Sequence, residues 1–142
     1  MSDRTRAAAA GAAATLAWAA LEPLDQRLFH YDYSDVALLG KWVTRSRWWP
    51  VVGVAVHAAN GAAFGLAFEE VRRRTNAHPR RLAFTLAMVE NFGLYPLACV
   101  VDAKHPARGT RGLAPLVSGR ALAQATARHA LFGYLLGRWS RR

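Results

Sequence analysis

Thiols and lysines are scarce in this chain. A single cysteine, Cys99, excludes an intrachain disulfide and any thiolate metal cluster, and its place in an apolar block reads as a small packing residue. Only Lys41 and Lys104 accompany seventeen arginines, a bias we read as codon usage from a GC-rich genome rather than recognition chemistry. Acids are few, with Asp plus Glu at 9 against 19 Lys plus Arg. H-x-x-H, H-E-x-x-H and C-x-x-C are all missing, so His30, His57, His105 and His129 compose no recognisable metal site. No G-x-S-x-G and no nucleotide-binding glycine loop is present. Neither a metal nor a cofactor is therefore expected, and the reading leans away from an enzyme. Beta-branched residues are too sparse, and period-two alternation too poor, for barrel strands.

What is abundant is apolar sequence, at 53% of 142 residues, although the mean hydropathy is only +0.03. That average hides a segregation of charges into clusters and apolar residues into long blocks. A soluble basic domain would instead break each helix with charge on its wet face. Four blocks fall at about 7–24, 48–68, 82–101 and 121–138, each near the ~20 residues a helix needs to cross ~30 Å of hydrocarbon. The expected fold is all-α, a four-helix transmembrane bundle forming one integral membrane domain over residues 1–142. The alanine-rich first block also fits a signal peptide, with Arg4 and Arg6 before it and Ala17-Trp18-Ala19 in A-x-A form, but its core lacks the leucine density of one. An uncleaved first span is the preferred reading.

Arginine placement sets the topology. Ten cations lie on one side: Arg4, Arg6, Arg72–Arg74, Arg80, Arg81, Arg138, Arg141 and Arg142. Eight lie on the other, offset by Glu22, Asp25, Asp32, Asp35 and Asp102. The positive-inside rule then puts both termini in the cytoplasm, with the bundle in the cell (inner) membrane. The first long loop admits two readings, a solvated loop or a short interfacial helix starting at Ser34 and Asp35 with Val36, Leu39 and Val43 on one face. Trp42, Trp48, Trp49, Tyr31 and Tyr33 suit a headgroup layer. The net charge of +10 flanks apolar spans instead of alternating with aromatics, which favours lipid headgroups and not nucleic acid as its partner.

Gly53, His57, Gly61 and Gly65 recur at every fourth position in the second block, as do Ala125, His129, Gly133 and Gly137 in the fourth. Leu21-x-Pro23-Leu24 is echoed by Leu94-x-Pro96-Leu97. A parallel 2+2 internal repeat accounts for both, its halves related by an axis along the membrane normal. Each repeat presents a small-xxx-small groove carrying one histidine. Gly53, Gly61, Gly65, Gly133 and Gly137 are the expected packing residues, letting the second and fourth spans pack along these grooves within one chain or across a homo-oligomer.

Polar groups fall near the midpoint of three spans: His57 and Asn60, Glu90 and Asn91, Arg128 and His129. A charge at that depth costs at least ~2.5–3.5 kcal/mol, so these residues should face the bundle interior and pair, Glu90 with Arg128 above all. The cluster is read either as a registry device between helices or as an ion, proton or ligand site.

The string Glu69-Glu70-Val71-Arg72-Arg73-Arg74 contains E-E-x-x-x-R, which resembles the first motif of intramembrane prenyl-protein proteases. That family also needs F-x-x-x-H and H-x-x-x-N on later helices. Ala125 precedes His129 by four and Asn60 follows His57 by three, so neither motif is met. Glu69 and Glu70 are therefore assigned to pairing with nearby arginines at the membrane edge. The chain has the look of a small bacterial inner-membrane protein. Its expected role is helix packing, assembly or binding, as a homo-oligomer or with a larger membrane-protein partner. The alternative is a small transporter or channel-like protein using the Glu/Arg/His cluster.

Overall fold

A computed structural model describes residues 2–140, so Arg141 and Arg142 of the basic tail lie outside the described residues. Five helices and no strand form among those residues: α1 (Asp3–Phe29), α2 (Asp35–Val43), α3 (Trp49–Arg74), α4 (Pro79–Lys104) and α5 (Gly119–Trp139). Local chemistry sets their starts. Ser2, Ser34 and Ser118 each accept a hydrogen bond from the backbone N–H three residues on, capping α1, α2 and α5. Pro50 and Pro79 sit in the first turns of α3 and α4, where a missing N–H costs nothing. Within α4 the spiral tightens to a 3-10 turn at Tyr95–Leu97, around Pro96, which has no N–H to donate.

Each of the four apolar blocks lies inside a long helix, and the first loop holds a short helix, α2. Three helices, α1, α3 and α4, are long and apolar enough to cross a membrane. At 21 residues α5 has the length but carries Arg120, Gln124, Arg128, His129 and Arg138.

The interior is built from small side chains. Ala7, Ala10 and Ala14 of α1 are buried in one cluster with Trp18, Phe68, Ala83, Ala87, Phe132 and Leu136. Gly61 and Gly65 of α3 lie directly on the α1 backbone, so that an added Cβ would overlap Thr15 and Gly11 at one and Ala7 at the other. On α5, Gly133 and Gly137 lie on α4, where a Cβ would come 2.8 Å from the Cα of Phe84 and 2.7 Å from that of Arg80. Gly53 packs on Val36 of α2. α3 and α5 thus do not pack on each other through their glycines, contrary to the expected pairing of the second and fourth blocks. Each stripe is covered by the helix preceding it in the same half of the chain, because only a close partner backbone fills a groove that shallow.

Large apolar residues point the other way. Leu24, Leu28, Val51, Val89 and Phe92 are exposed, whereas Glu22, Glu69, Gln124 and Arg128 are buried. This inverts the usual partition of a protein in water. Two residues depart from their expected places. Cys99 is exposed on α4 rather than packed, its Sγ facing the carbonyl of Pro96. Tyr33 is buried at 5% exposure instead of standing in a headgroup layer. Glu69 and Glu70 do pair locally, with Arg72 at 2.7 and 2.8 Å and with Arg74 at 2.6 and 2.9 Å.

The close α1–α3 approach is testable by glycine substitution. Gly61→Ala is expected to destabilise the fold by about 1–3 kcal/mol, since the added methyl meets backbone that cannot give. Gly93→Ala, where nothing lies within 4 Å, should be neutral or stabilising by up to ~1 kcal/mol. Equal unfolding midpoints for the two variants in detergent would contradict the packing.

Candidate functional site

Arg128 organises one end of the bundle. Its Nε and Nη2 donate to the two oxygens of Asp25, at the end of α1, with the Nη2 bond at 2.7 Å. Its Nη1 donates to Asp35 at the start of α2 at 2.6 Å, and Nη2 also donates to the carbonyl of Tyr33 at 2.9 Å. The guanidinium lies 5.2 Å from the Tyr33 ring, and Glu22 stands 3.8 Å away. Glu22 in turn accepts from Ser34 Oγ and, at 2.8 Å, from the Asp35 N–H. Gln124 donates to Asp25 at 2.7 Å. One buried arginine therefore answers three carboxylates drawn from α1 and the first loop.

The expected Glu90–Arg128 pair is not formed. Helical side chains lean toward their own N-terminus. Arg128 accordingly reaches toward the loop end of the bundle, where Asp25 and Asp35 wait. Glu90 instead faces His129, one residue and about 100° further round α5, with 3.7 Å between Oε2 and Nε2. His129 Nδ1 lies 2.8 Å from the carbonyl of Ala125, so that nitrogen carries a proton and leaves Nε2 turned to the carboxylate. Asn91 is consumed structurally, donating to Thr126 at 2.9 Å across the α4–α5 contact.

Five of the six mid-span polar residues, His57, Asn60, Glu90, Asn91 and His129, line one cavity of about 340 Å³. Tyr33 and Asp35 close it at the loop end, which places Arg128 just behind the wall rather than on it. Trp18 forms the floor, edge-on to His57 at 5.2 Å and to His129 at 5.0 Å between ring centres. Trp18 Nε1 and His57 Nε2 are buried without a hydrogen-bond partner. Asn60 is exposed toward the cavity and not turned into the glycine groove. The cavity lies between α3 and α4, which touch only sparsely, while α1 packs closely on α3 and α5 on α4.

Reading the sequence as loops and spans missed Glu22, Asp25, Tyr33 and Asp35. The three acids count there only as an offset to outer cations, Asp35 also as a helix start, and Tyr33 as a headgroup-layer aromatic, although acids flanking an arginine-bearing helix were the available signal. Asp35 is held below the ordinary carboxylate value. Burial by itself pushes it up, but the Arg128 charge, the field of His57 and the hydrogen bonds from Tyr33 and Arg128 outweigh that. Burial, and then the Asp35 charge, push the Tyr33 hydroxyl well above its usual range. Among the described residues no group of three or more His, Cys, Asp or Glu is placed to hold a metal ion. Comparisons with known protein families, curated proteins and solved structures returned no match.

Removing the guanidinium should expose this charge balance. A depressed carboxylate contributes stability that is complete above its unfolded value of about 3.9 and is lost as pH falls through the lower folded value. Arg128→Met is expected to cost about 3–5 kcal/mol at pH 7 by stranding the three acids. Without the arginine, Asp35 loses the strongest influence holding it down while burial, the His57 field and the Tyr33 hydrogen bond remain, so its value rises and acidification toward pH 4 should weaken the variant less than the parent. Parallel pH dependences of unfolding for the two proteins would rule out the clamp.

Proposed function

We propose that this chain is a small multi-pass membrane protein that binds a ligand inside its bundle. Lipid as solvent accounts for the exposed Leu, Val and Phe side chains together with an interior of alanine, glycine and charge. In this reading α1, α3, α4 and α5 all cross the inner membrane with both termini cytoplasmic, and α5 is tolerated because Gln124 and Arg128 are buried while the exposed Arg120 and Arg138 stand at its two ends. Burial of Ala7, Ala14 and Trp18 in the core favours an uncleaved first span. The parallel 2+2 repeat draws support from the like use of Gly61 and Gly65 on α1 and of Gly133 and Gly137 on α4.

The observation that carries the binding reading is the cavity where polar groups of three spans converge. Asn60 and Glu90 are incompletely partnered there, at a depth where lipid offers nothing in exchange. A registry device would need these groups closed on one another, as Asn91 is on Thr126. Transport is the second reading, favoured by the sparse α3–α4 contact beside the cavity. Assembly through the glycine stripes loses its support, since each stripe is already covered within the chain. A homo-oligomer or a larger partner would have to use the outer apolar faces.

Native mass spectrometry of the protein released from nanodiscs should find a small molecule retained with each copy. Asn60→Trp, which fills the cavity, should abolish that retention without changing the unfolding midpoint. If the parent and the variant carry the same bound species, the interior is not the site. Under the transport reading Glu90→Gln would also abolish flux in proteoliposomes.

A further inference from the structure

Resting on the interior-binding reading, we infer that the cavity between α3 and α4 takes a lipid-soluble organic cation, held by Glu90 and an aromatic lining and admitted sideways from the hydrocarbon. The wall carries two carboxylates, Asp35 and Glu90, and neither lysine nor arginine. Asp35 is occupied by Arg128 at 2.6 Å and by Tyr33 at 2.6 Å, which leaves Glu90 as the accessible anion, its side chain 38% exposed with only His129 nearby at 3.7 Å. Behind the wall Asp25 shares Arg128 with Asp35, so the nearby guanidinium is already answered and leaves no free positive charge for the cavity. An anionic ligand would meet no lysine or arginine on the wall and would face Glu90.

Trp18, Phe64, Tyr95 and Phe132 supply ring surfaces on the same wall, the arrangement that desolvated cations favour. His57, 6% exposed on this wall and edge-on to Trp18, adds imidazole ring surface to the lining. About 340 Å³ suits a molecule with one ring and a compact charged head. The sparse α3–α4 contact lies beside the exposed apolar side chains of Leu94 and Leu97, so the ligand must be soluble in hydrocarbon as well as charged.

The test compares benzyltrimethylammonium with its uncharged carbon isostere, neopentylbenzene, on the full chain in nanodiscs, with protein-free nanodiscs as the blank. Saturable binding of the cation, weakened at least about tenfold for the isostere and for Glu90→Gln and partly restored in Glu90→Asp, is the expected result. An unchanged unfolding midpoint for ligand-free Glu90→Gln shows that the fold is intact. Equal binding of isostere and cation, with Glu90→Gln without effect, overturns the cation assignment and leaves an interior binding site standing. No saturable binding of either probe also overturns it. The mass-spectrometric experiment above then separates a cavity for another ligand, where a molecule is retained, from no interior site at all.

Discussion

The clamp of Arg128 on Asp25 and Asp35 is the interaction on which the rest of the arrangement depends. It fastens the middle of α5 to the end of α1 and the start of α2, three segments far apart in sequence. It works beside Glu22, which accepts from Ser34 and the Asp35 N–H, and His105, which meets the Leu38 carbonyl, in holding α2 over the cavity, and the Tyr33 carbonyl and ring both meet the guanidinium. A buried ion pair of this sort is weak as a source of stability against a well-packed apolar substitute but strong as a constraint once present, because breaking one side strands the other. Asp25 and Asp35 share the one guanidinium directly, while Glu22 stands 3.8 Å off and is held by Ser34 and the Asp35 N–H.

Close backbone contact is the second constraint. The α1–α3 and α4–α5 pairs rely on approach distances that only alanine and glycine permit. Between the pairs the filling is aromatic, with Trp18 and Phe64 both meeting Phe132, and the cavity lies where α3 and α4 touch only sparsely.

Much of this was legible in the sequence, and the limits have physical causes. The apolar blocks announced the long helices because a helix backbone satisfies its own hydrogen bonds, so length and hydropathy are enough to reveal it. Depth counting brought His57, Asn60, Glu90, Asn91 and His129 to one level, and they do share a cavity. The partner of Arg128 was not legible, since nothing in a linear string gives the distance from residue 128 to residues 25 and 35. The lean of helical side chains toward the N-terminus pointed away from Glu90 and could have been used. Four-residue glycine spacing disclosed a groove but not which helix lies in it, so the pairing of the second span with the fourth was overturned by the observed α1–α3 and α4–α5 contacts.

The 3-10 turn at Tyr95–Leu97 gives α4 a joint where it borders the cavity. Below it, Ala83, Ala87 and Asn91 are gripped by α5. Above it, Asp102 accepts from the N–H groups of Leu116 and Val117 and so belongs mechanically to the 105–118 loop. The two pieces therefore answer to different anchors, and the tighter spiral at Pro96 sets the angle at which the upper one stands beside the cavity.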